Sequence, residues 1–296
     1  MSPAEALTGS AAAVVDATAK AAILAEALPY IREFSGRTVV VKYGGNAMTD
    51  PGLVDLFAQD VVLMRLVGMN PVVVHGGGPQ ISELMRRLGK EPVFVDGLRV
   101  TDAETVDIVR MALVGKVNRE VVACINRHGP YAVGLSGEDA GLITVVPRDA
   151  RLGFVGDVSR INASVLERQI KEELIPVVAT IGVDEAGQAY NVNADTAAGA
   201  VAQALGAEKL VYLTNVSGLY RDFGDEGSLI SQITTSELEA MIHAGMLSEG
   251  MVPKVASCVA ALRHGVGRAH LLDGRIPHAL LLECFTRQGV GTMVTR

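Results

Sequence analysis

Two stretches decide the fold: Thr38-Val39-Val40-Val41-Lys42-Tyr43-Gly44-Gly45 and Pro71-Val72-Val73-Val74-His75-Gly76-Gly77-Gly78-Pro79. Each is a continuous apolar run rather than an alternating one, the pattern of a strand covered on both faces. Each ends in consecutive glycines, which let the backbone turn sharply and approach a ligand closely. A helical pattern over 55–67, with Leu56, Val61, Leu63 and Leu66 apolar, separates the two runs, and another over 79–88 follows the second. Strand, helix, strand, helix in this order predicts a parallel sheet between helical layers.

Working outward, the same alternation continues. The spacing predicts a long helix over 102–126 and a helix over 164–173. It predicts a strand over 176–181, a small-residue helix over 196–205 and a strand over 209–214. Helices over 236–244 and 253–264 and closing strands over 269–272 and 291–294 complete the chain. Short strands over 132–135, 142–146 and near 153–158 read as an antiparallel excursion. Towards the amino terminus, Ile23, Leu24, Ala27, Leu28 and Ile31 fall on one face of a helix over 19–34, which Pro29 should kink. Residues 1–18, rich in Ala, Ser and Thr, read as mobile. The fold class is α/β, an open, mainly parallel sheet in which ligands gather beyond the carboxyl ends of the strands.

Composition narrows the function. The chain has 296 residues, 49% hydrophobic and only 4% aromatic, enough for a large core of small aliphatic side chains. Its net charge of −7 gives no general attraction for nucleic acid. No apolar run approaches the length of a membrane span, and no basic, apolar leader precedes the helix over 19–34, so a cytoplasmic protein is expected. Cys124, Cys258 and Cys284 lie far apart without a C-x-x-C pair, and read as buried small hydrophobes rather than as metal ligands.

Lys42 closes a buried strand, an unexpected place for an ammonium. Either a phosphate meets it beside Gly44-Gly45, or it snorkels past the sheet edge. His75-Gly76-Gly77-Gly78-Pro79 is more specific, because successive N–H groups backed by a helix N-terminus form an anion site. His75 itself can simply be a hydrogen-bonded strand end. Arg99 in Asp96-Gly97-Leu98-Arg99 can grip a carboxylate or point into solvent. Asn191 and Asn193 share one face if extended, and suit an amide or carboxylate ligand. Asp195 can be a helix cap or a first-turn acid. Lys254 follows Pro253 in a first helical turn, where a cation opposes the helix dipole unless an anion lies nearby. Three other schemes fail. Gly115-Lys116 has Arg110 where a P-loop glycine belongs, no G-x-G-x-x-G follows the first strand, and no G-x-S-x-G accompanies His-Gly-Gly-Gly.

As an ordered set these residues resemble the amino-acid kinase family. The matching stretches are Val41-Lys42-Tyr43-Gly44-Gly45-Asn46-Ala47, Val74–Pro79, Val95–Thr101, Asn191–Asp195, Leu213-Thr214-Asn215-Val216-Ser217-Gly218-Leu219 and Gly250-Met251-Val252-Pro253-Lys254. The resemblance implies a three-layer αβα sandwich around an eight-stranded sheet. It implies an amino-terminal extension over 1–35, an amino-acid-substrate lobe over 36–205 and a nucleotide lobe over 206–296. It further implies ATP-dependent phosphorylation of the γ-carboxylate of N-acetyl-L-glutamate, with Mg²⁺ carried on the phosphates. On this resemblance Gly77, Gly78, Arg99 and Asn191, with Asn193 beside it, hold the acceptor. Lys42 and Lys254 stabilise the moving phosphoryl group, and Asp195 holds both. Gly44, Gly45, Thr214, Asn215 and Val216 lie by the nucleotide. Carbamate, aspartate, glutamate or a nucleoside monophosphate remain rival acceptors, and a non-catalytic arginine sensor is a rival of another class.

The ends resemble the arginine-sensitive members, whose amino-terminal helix interlaces dimers into a hexamer, a trimer of dimers. Carried over, that likeness makes Tyr30, Lys209, His270, Glu283 and Gly289 an L-arginine site. A glutamate such as Glu283 suits a guanidinium.

Overall fold

The computed structural model describes residues 21–44, 48, 50–222, 224–247, 250–286 and 289–296. The stretch 1–18, expected to be mobile, and Gly45 lie outside the described residues. Eight strands form one sheet, in the order Gln232–Thr234, Gly291–Thr295, Arg268–Asp273, Lys209–Thr214, Thr38–Tyr43, Asn70–His75, Ile175–Ala179 and Ala132–Ser136. The last six in that order are mutually parallel, and the first two run against them.

The continuous apolar runs are explained by what covers them. Alternate residues of a strand face opposite sides, and both sides of Thr38–Tyr43 are buried. Val39, Val41 and Tyr43 pack with Phe57, Val61 and Met64 of the helix Pro51–Leu66 and with Val121 and Ile125 of Asn118–Asn126. Val40 packs on the other face with Ala197, Ala198 and Val201 of the helix Ala194–Ala204 and with Val255 of Val252–Arg263. This parity has a consequence for the site. Lys42 shares the face of Val40, toward the helix Ala194–Ala204. His75 shares the face of Val73, toward the helix Asn118–Asn126.

Most expected elements form within a residue or two of their expected ends. The helix over 21–34 runs through Pro29 without interruption. Asp50 begins the next helix early by accepting from the Gly52 and Leu53 N–H groups. The rod over 103–126 differs from the expected plain helix. Its middle, Met111–Val117, is a π-helical turn between the α-helices Ala103–Arg110 and Asn118–Asn126. The antiparallel excursion also differs in membership from the expected one. Ala132–Ser136 joins the main sheet in parallel, while Ile143–Pro147, Val155–Ile161, Ile181–Val183 and Ala189–Val192 close into a small barrel. All three cysteines are buried and free. Among the described residues no helix is long and apolar enough to cross a membrane.

Candidate active site

The carboxyl ends of Thr38–Tyr43 and Asn70–His75 lie side by side, with Tyr43 in register with His75. The Gly76 N–H donates to the Tyr43 carbonyl, 3.2 Å away, so Gly44 and the turn after His75 lie on the same edge. Between them and the small barrel lies a cleft of about 300 Å³, lined among others by Lys42, Gly44, Gly77, Gly78, Arg99, Asn191, Asn193 and Asp195.

The centre of this site is Asp195, in the first turn of Ala194–Ala204. It is not the cap: Asn193 Oδ1 caps the helix by accepting from the Asp195 N–H at 2.9 Å and the Thr196 N–H at 3.2 Å. That frees the Asp195 carboxylate to face Lys42 Nζ at 3.0 Å through one oxygen and Lys254 Nζ at 2.7 Å through the other. Burial alone would push its pKa up, but the two ammoniums hold it below the usual carboxylate range. One carboxylate between two lysines leaves a net positive charge at the cleft, which an anion would balance. A Cβ at Gly44 would stand 3.1 Å from Lys42 Nζ, so a side chain there would press on the lysine of the clasp.

Ser257 and Tyr212, which the sequence did not single out, lock this arrangement. Ser257 Oγ donates to the Asp195 carbonyl at 3.0 Å, and Tyr212 Oη lies 2.6 Å from Ser257 Oγ. Ser257 sits one turn after Lys254, so the two helices bearing Asp195 and Lys254 are fastened at the point where the ion pair forms. Gly199 leaves room for the Ser257 hydroxyl.

Arg99 forms the opposite wall. It lies on a hairpin, Phe94–Val95 with Leu98–Arg99, whose two turn residues Asp96 and Gly97 both have positive φ, the requirement of a two-residue type I′ turn. Arg99 is 6% exposed, and its guanidinium donates to Ser82 Oγ at 2.8 Å and the Gly78 carbonyl at 3.0 Å. Phe94 lies over it with the ring centroid 4.8 Å away. These partners are all neutral, and no carboxylate of the described residues pairs with it. Burial, and then the nearby Arg86, lower its pKa.

Gly77 lies against the π-helical turn. A Cβ there would come within 2.7 Å of Leu113 Cδ2, so the leucine would have to shift to admit a side chain. It precedes a first helical turn whose N–H groups have no intrahelical acceptor. On the barrel side, Asn191 Nδ2 donates to Thr101 Oγ1 at 3.3 Å, which ties Asn191 to the strand carrying Arg99. Thr214, Asn215 and Val216 are outside this cleft, at the carboxyl end of the neighbouring strand Lys209–Thr214. There Thr214 Oγ1 accepts from the Val216 N–H at 3.1 Å.

The five residues expected at the second site do converge. Tyr30, Lys209, His270, Glu283 and Gly289 line one cavity of about 320 Å³ at the far end of the sheet. His270 Nδ1 lies 2.8 Å from the Glu283 carboxylate, and Lys209 Nζ lies 4.6 Å from the Phe34 ring centre. Burial pushes the pKa of His270 below its usual value, against the pull of Glu283. Burial also pushes Glu283 upward, but His270 and Lys209 hold it below its usual pKa. Among the described residues, the buried His270 Nε2 has no hydrogen-bond partner.

A sheet between helical layers with a glycine turn after His75 and a lysine–aspartate–lysine clasp at its strand ends defines a phosphoryl-transfer scaffold. The model of the amino acid kinase family matches residues 37–273, and the chain belongs to that family. It is a kinase that uses ATP. An acetylglutamate kinase from Acidothermus cellulolyticus is 56% identical over 287 residues, covering 93% of this chain and 96% of that protein. Among solved structures, an N-acetylglutamate synthase from Neisseria gonorrhoeae complexed with coenzyme A and N-acetyl-glutamate superposes with a TM-score of 0.82 at 28% identity. The match covers 93% of this chain and 63% of that one. The same enzyme complexed with coenzyme A and L-arginine gives a TM-score of 0.78 at 28% identity, covering 93% of this chain and 65% of that one.

Proposed function

We propose that the chain transfers the γ-phosphoryl group of ATP to the γ-carboxylate of N-acetyl-L-glutamate, giving N-acetyl-L-glutamyl 5-phosphate. The observation that carries this reading is the pairing across one cleft of a two-lysine clasp with a buried arginine that has no carboxylate partner among the described residues. One end accepts a phosphate, the other a carboxylate. Relatives named acetylglutamate kinase support the choice of acceptor.

The acceptor's γ-carboxylate is ionised at neutral pH, so no general base is required. A carboxylate oxygen forms the bond to the γ-phosphorus, the bond to the departing ADP oxygen breaks, and no proton moves. The protein's task is alignment and charge stabilisation. Arg99 and Asn191 anchor the body of the acceptor, with Asn193 beside them. The Gly77 and Gly78 N–H groups meet its reacting carboxylate. Lys42 from the strand and Lys254 from the helix gather the charge of the phosphoryl group, and Asp195 holds both ammoniums at the right separation. Gly44, Thr214, Asn215 and Val216 flank the nucleotide. Among the described residues no three His, Cys, Asp or Glu side chains converge on a metal position, and Asp195 already serves two ammoniums. Mg²⁺ would therefore be held by the nucleotide's own phosphate oxygens, where it neutralises charge on the leaving ADP. In this division residues 36–205 form the acceptor lobe and 206–296 the nucleotide lobe, at work in the cytoplasm.

The second cavity is read as an L-arginine site. Glu283 offers an ionised carboxylate for a guanidinium, and His270 Nε2, without a hydrogen-bond partner among the described residues, offers a further contact. The extension over 1–35 is read as an oligomerising arm, since Ile23, Leu24 and Leu28 of the helix over 21–34 are 66%, 73% and 56% exposed. A second copy would bury them in a hexamer. The deciding assay is ADP release with N-acetyl-L-glutamate, glutamate, aspartate and carbamate as acceptors, with and without arginine. Turnover that prefers any acceptor but the first overturns the reading.

A further inference from the structure

His75 ends the second strand beneath the glycine turn, is completely buried, and does not itself line the cleft. Its surroundings form a one-way chain of hydrogen bonds. The Arg119 guanidinium, which can only donate, meets Asn118 Oδ1. The Asn118 carboxamide is thereby turned so that its Nδ2 donates to the Val177 carbonyl at 2.8 Å and faces His75 Nε2 at 3.1 Å. His75 Nε2 must then accept, so the ring proton sits on Nδ1, 2.9 Å from the Gly76 carbonyl. Reversing the carboxamide would place Oδ1 against the Val177 carbonyl and Nδ2 against the guanidinium. Burial keeps the ring neutral, its pKa pushed down to about 4. Gly134 on the edge strand makes the space: a Cβ there would overlap both Asn118 Oδ1 and the Arg119 guanidinium.

We propose that His75 and Asn118 are positioning residues that set the polarity of the Gly76–Gly77 peptide. In a planar trans peptide the carbonyl and the N–H point in opposite directions. Holding the Gly76 oxygen against the His75 ring, on the side of the helix Asn118–Asn126, turns the Gly77 N–H the other way, toward the acceptor cleft. Flipping that single peptide would present a partly negative oxygen to the reacting carboxylate. A triple glycine has little conformational resistance to such a flip, so an external latch is needed. The inference deepens the acceptor reading above and rests on it for its kinetic consequence, while the latch itself is tested without turnover.

Selective ¹⁵N-histidine spectra of the unaltered protein should show His75 as a neutral ring protonated at Nδ1, unchanged from about pH 5.5 to 8. A ring protonated at Nε2, or one that titrates in that range, overturns the proposal. The kinetic test uses two isosteres. His75→Asn places its Nδ2 where Nδ1 stood and keeps the bond to Gly76. His75→Gln reaches only the Nε2 position and keeps the contact with Asn118. The expectation is that Asn stays within about threefold of the unaltered kcat/KM for the acceptor. Gln should lose about tenfold or more, with the KM for ATP unchanged in both. Equal losses, a greater loss in the Asn variant, or losses that simply follow the melting temperatures overturn it. If the unaltered chain does not phosphorylate N-acetyl-L-glutamate, the acceptor reading falls, and the ring tautomer still decides for or against the latch.

Discussion

Replacing Asp195 with asparagine removes one negative charge from between two ammoniums and changes almost nothing in volume. The side chains of Lys42, Asp195 and Lys254 are 11%, 7% and 19% exposed, so solvent screens them little. At a charge separation of about 4 Å and an effective dielectric of about 20, each pair attracts by roughly 4 kcal/mol before desolvation is counted. Breaking a buried pair by deleting one partner costs about 3–5 kcal/mol. For a chain of this size that lowers Tm by about 10 °C. Catalysis should suffer separately, because two unclasped lysines repel and no longer share one phosphoryl group, and kcat should fall about 10²-fold or more. Mg-ATP offers a distinguishing readout. Its phosphates restore the missing negative charge, so it should raise the Tm of Asp195→Asn more than that of the parent. The pH dependence also has a definite sign. The folded pKa of Asp195 is depressed, so its contribution is complete above the usual carboxylate pKa and fades as pH falls through the folded value. The stability gap between parent and variant should be flat at neutral pH and shrink below about pH 4. Calorimetry and steady-state kinetics measure both quantities. A variant that melts within 2–3 °C of the parent, by the same scaling, and keeps near-normal turnover would refute the clasp.

Arg99→Ala should mainly raise the acceptor KM, by about tenfold or more for a lost charge-assisted contact, and an unchanged KM removes it from the site. Asp60, buried beneath the helix Ala279–Phe285, is pushed up to about pKa 6 by burial, against the opposing pull of His278, 2.5 Å away. A raised carboxylate pKa stabilises the fold below its unfolded value, and that contribution is lost as pH rises through the folded one. Stability should therefore decline between about pH 4 and 6 in the parent and flatten in Asp60→Asn, as chemical denaturation at each pH would show. Removing residues 1–34 should abolish hexamers and weaken inhibition by arginine. A truncated chain that still scatters light as a hexamer contradicts the arm.

The Val-rich runs, the glycine turns and the two lysines were readable in order, because covered strands and anion-binding turns leave local signatures. Arg99 and the residues of the second cavity were placed by resemblance, and the structure brings each set to one place. The sequence also flagged Asp195, yet left open whether it capped its helix. Only the fold gives that task to Asn193 and turns Asp195 toward lysines on two other elements. His75 was read as a hydrogen-bonded strand end with no partner named, and only the structure sets Asn118 against it. One local hint did exist, since Asn118 falls on the helical face of Val121 and Ile125, where a polar residue needs a partner. The π-helical turn at Met111–Val117 and the small closed barrel had no comparable hint, because widened turns and barrel closure depend on what packs against them.

The sequence by itself determined the alternation of elements, the polarity of the sheet edge and the chemical types gathered there. Periodicity and turn chemistry act over a few residues, and a single chain records them directly. Which side of the sheet each strand-end side chain faces, and what it meets there, was decided only in the tertiary structure. Lys42 meets Asp195, and His75 meets Asn118, on opposite faces of the same two adjacent strands. Their partners are far away in sequence, and such pairings exist only once the helical layers have closed over the sheet.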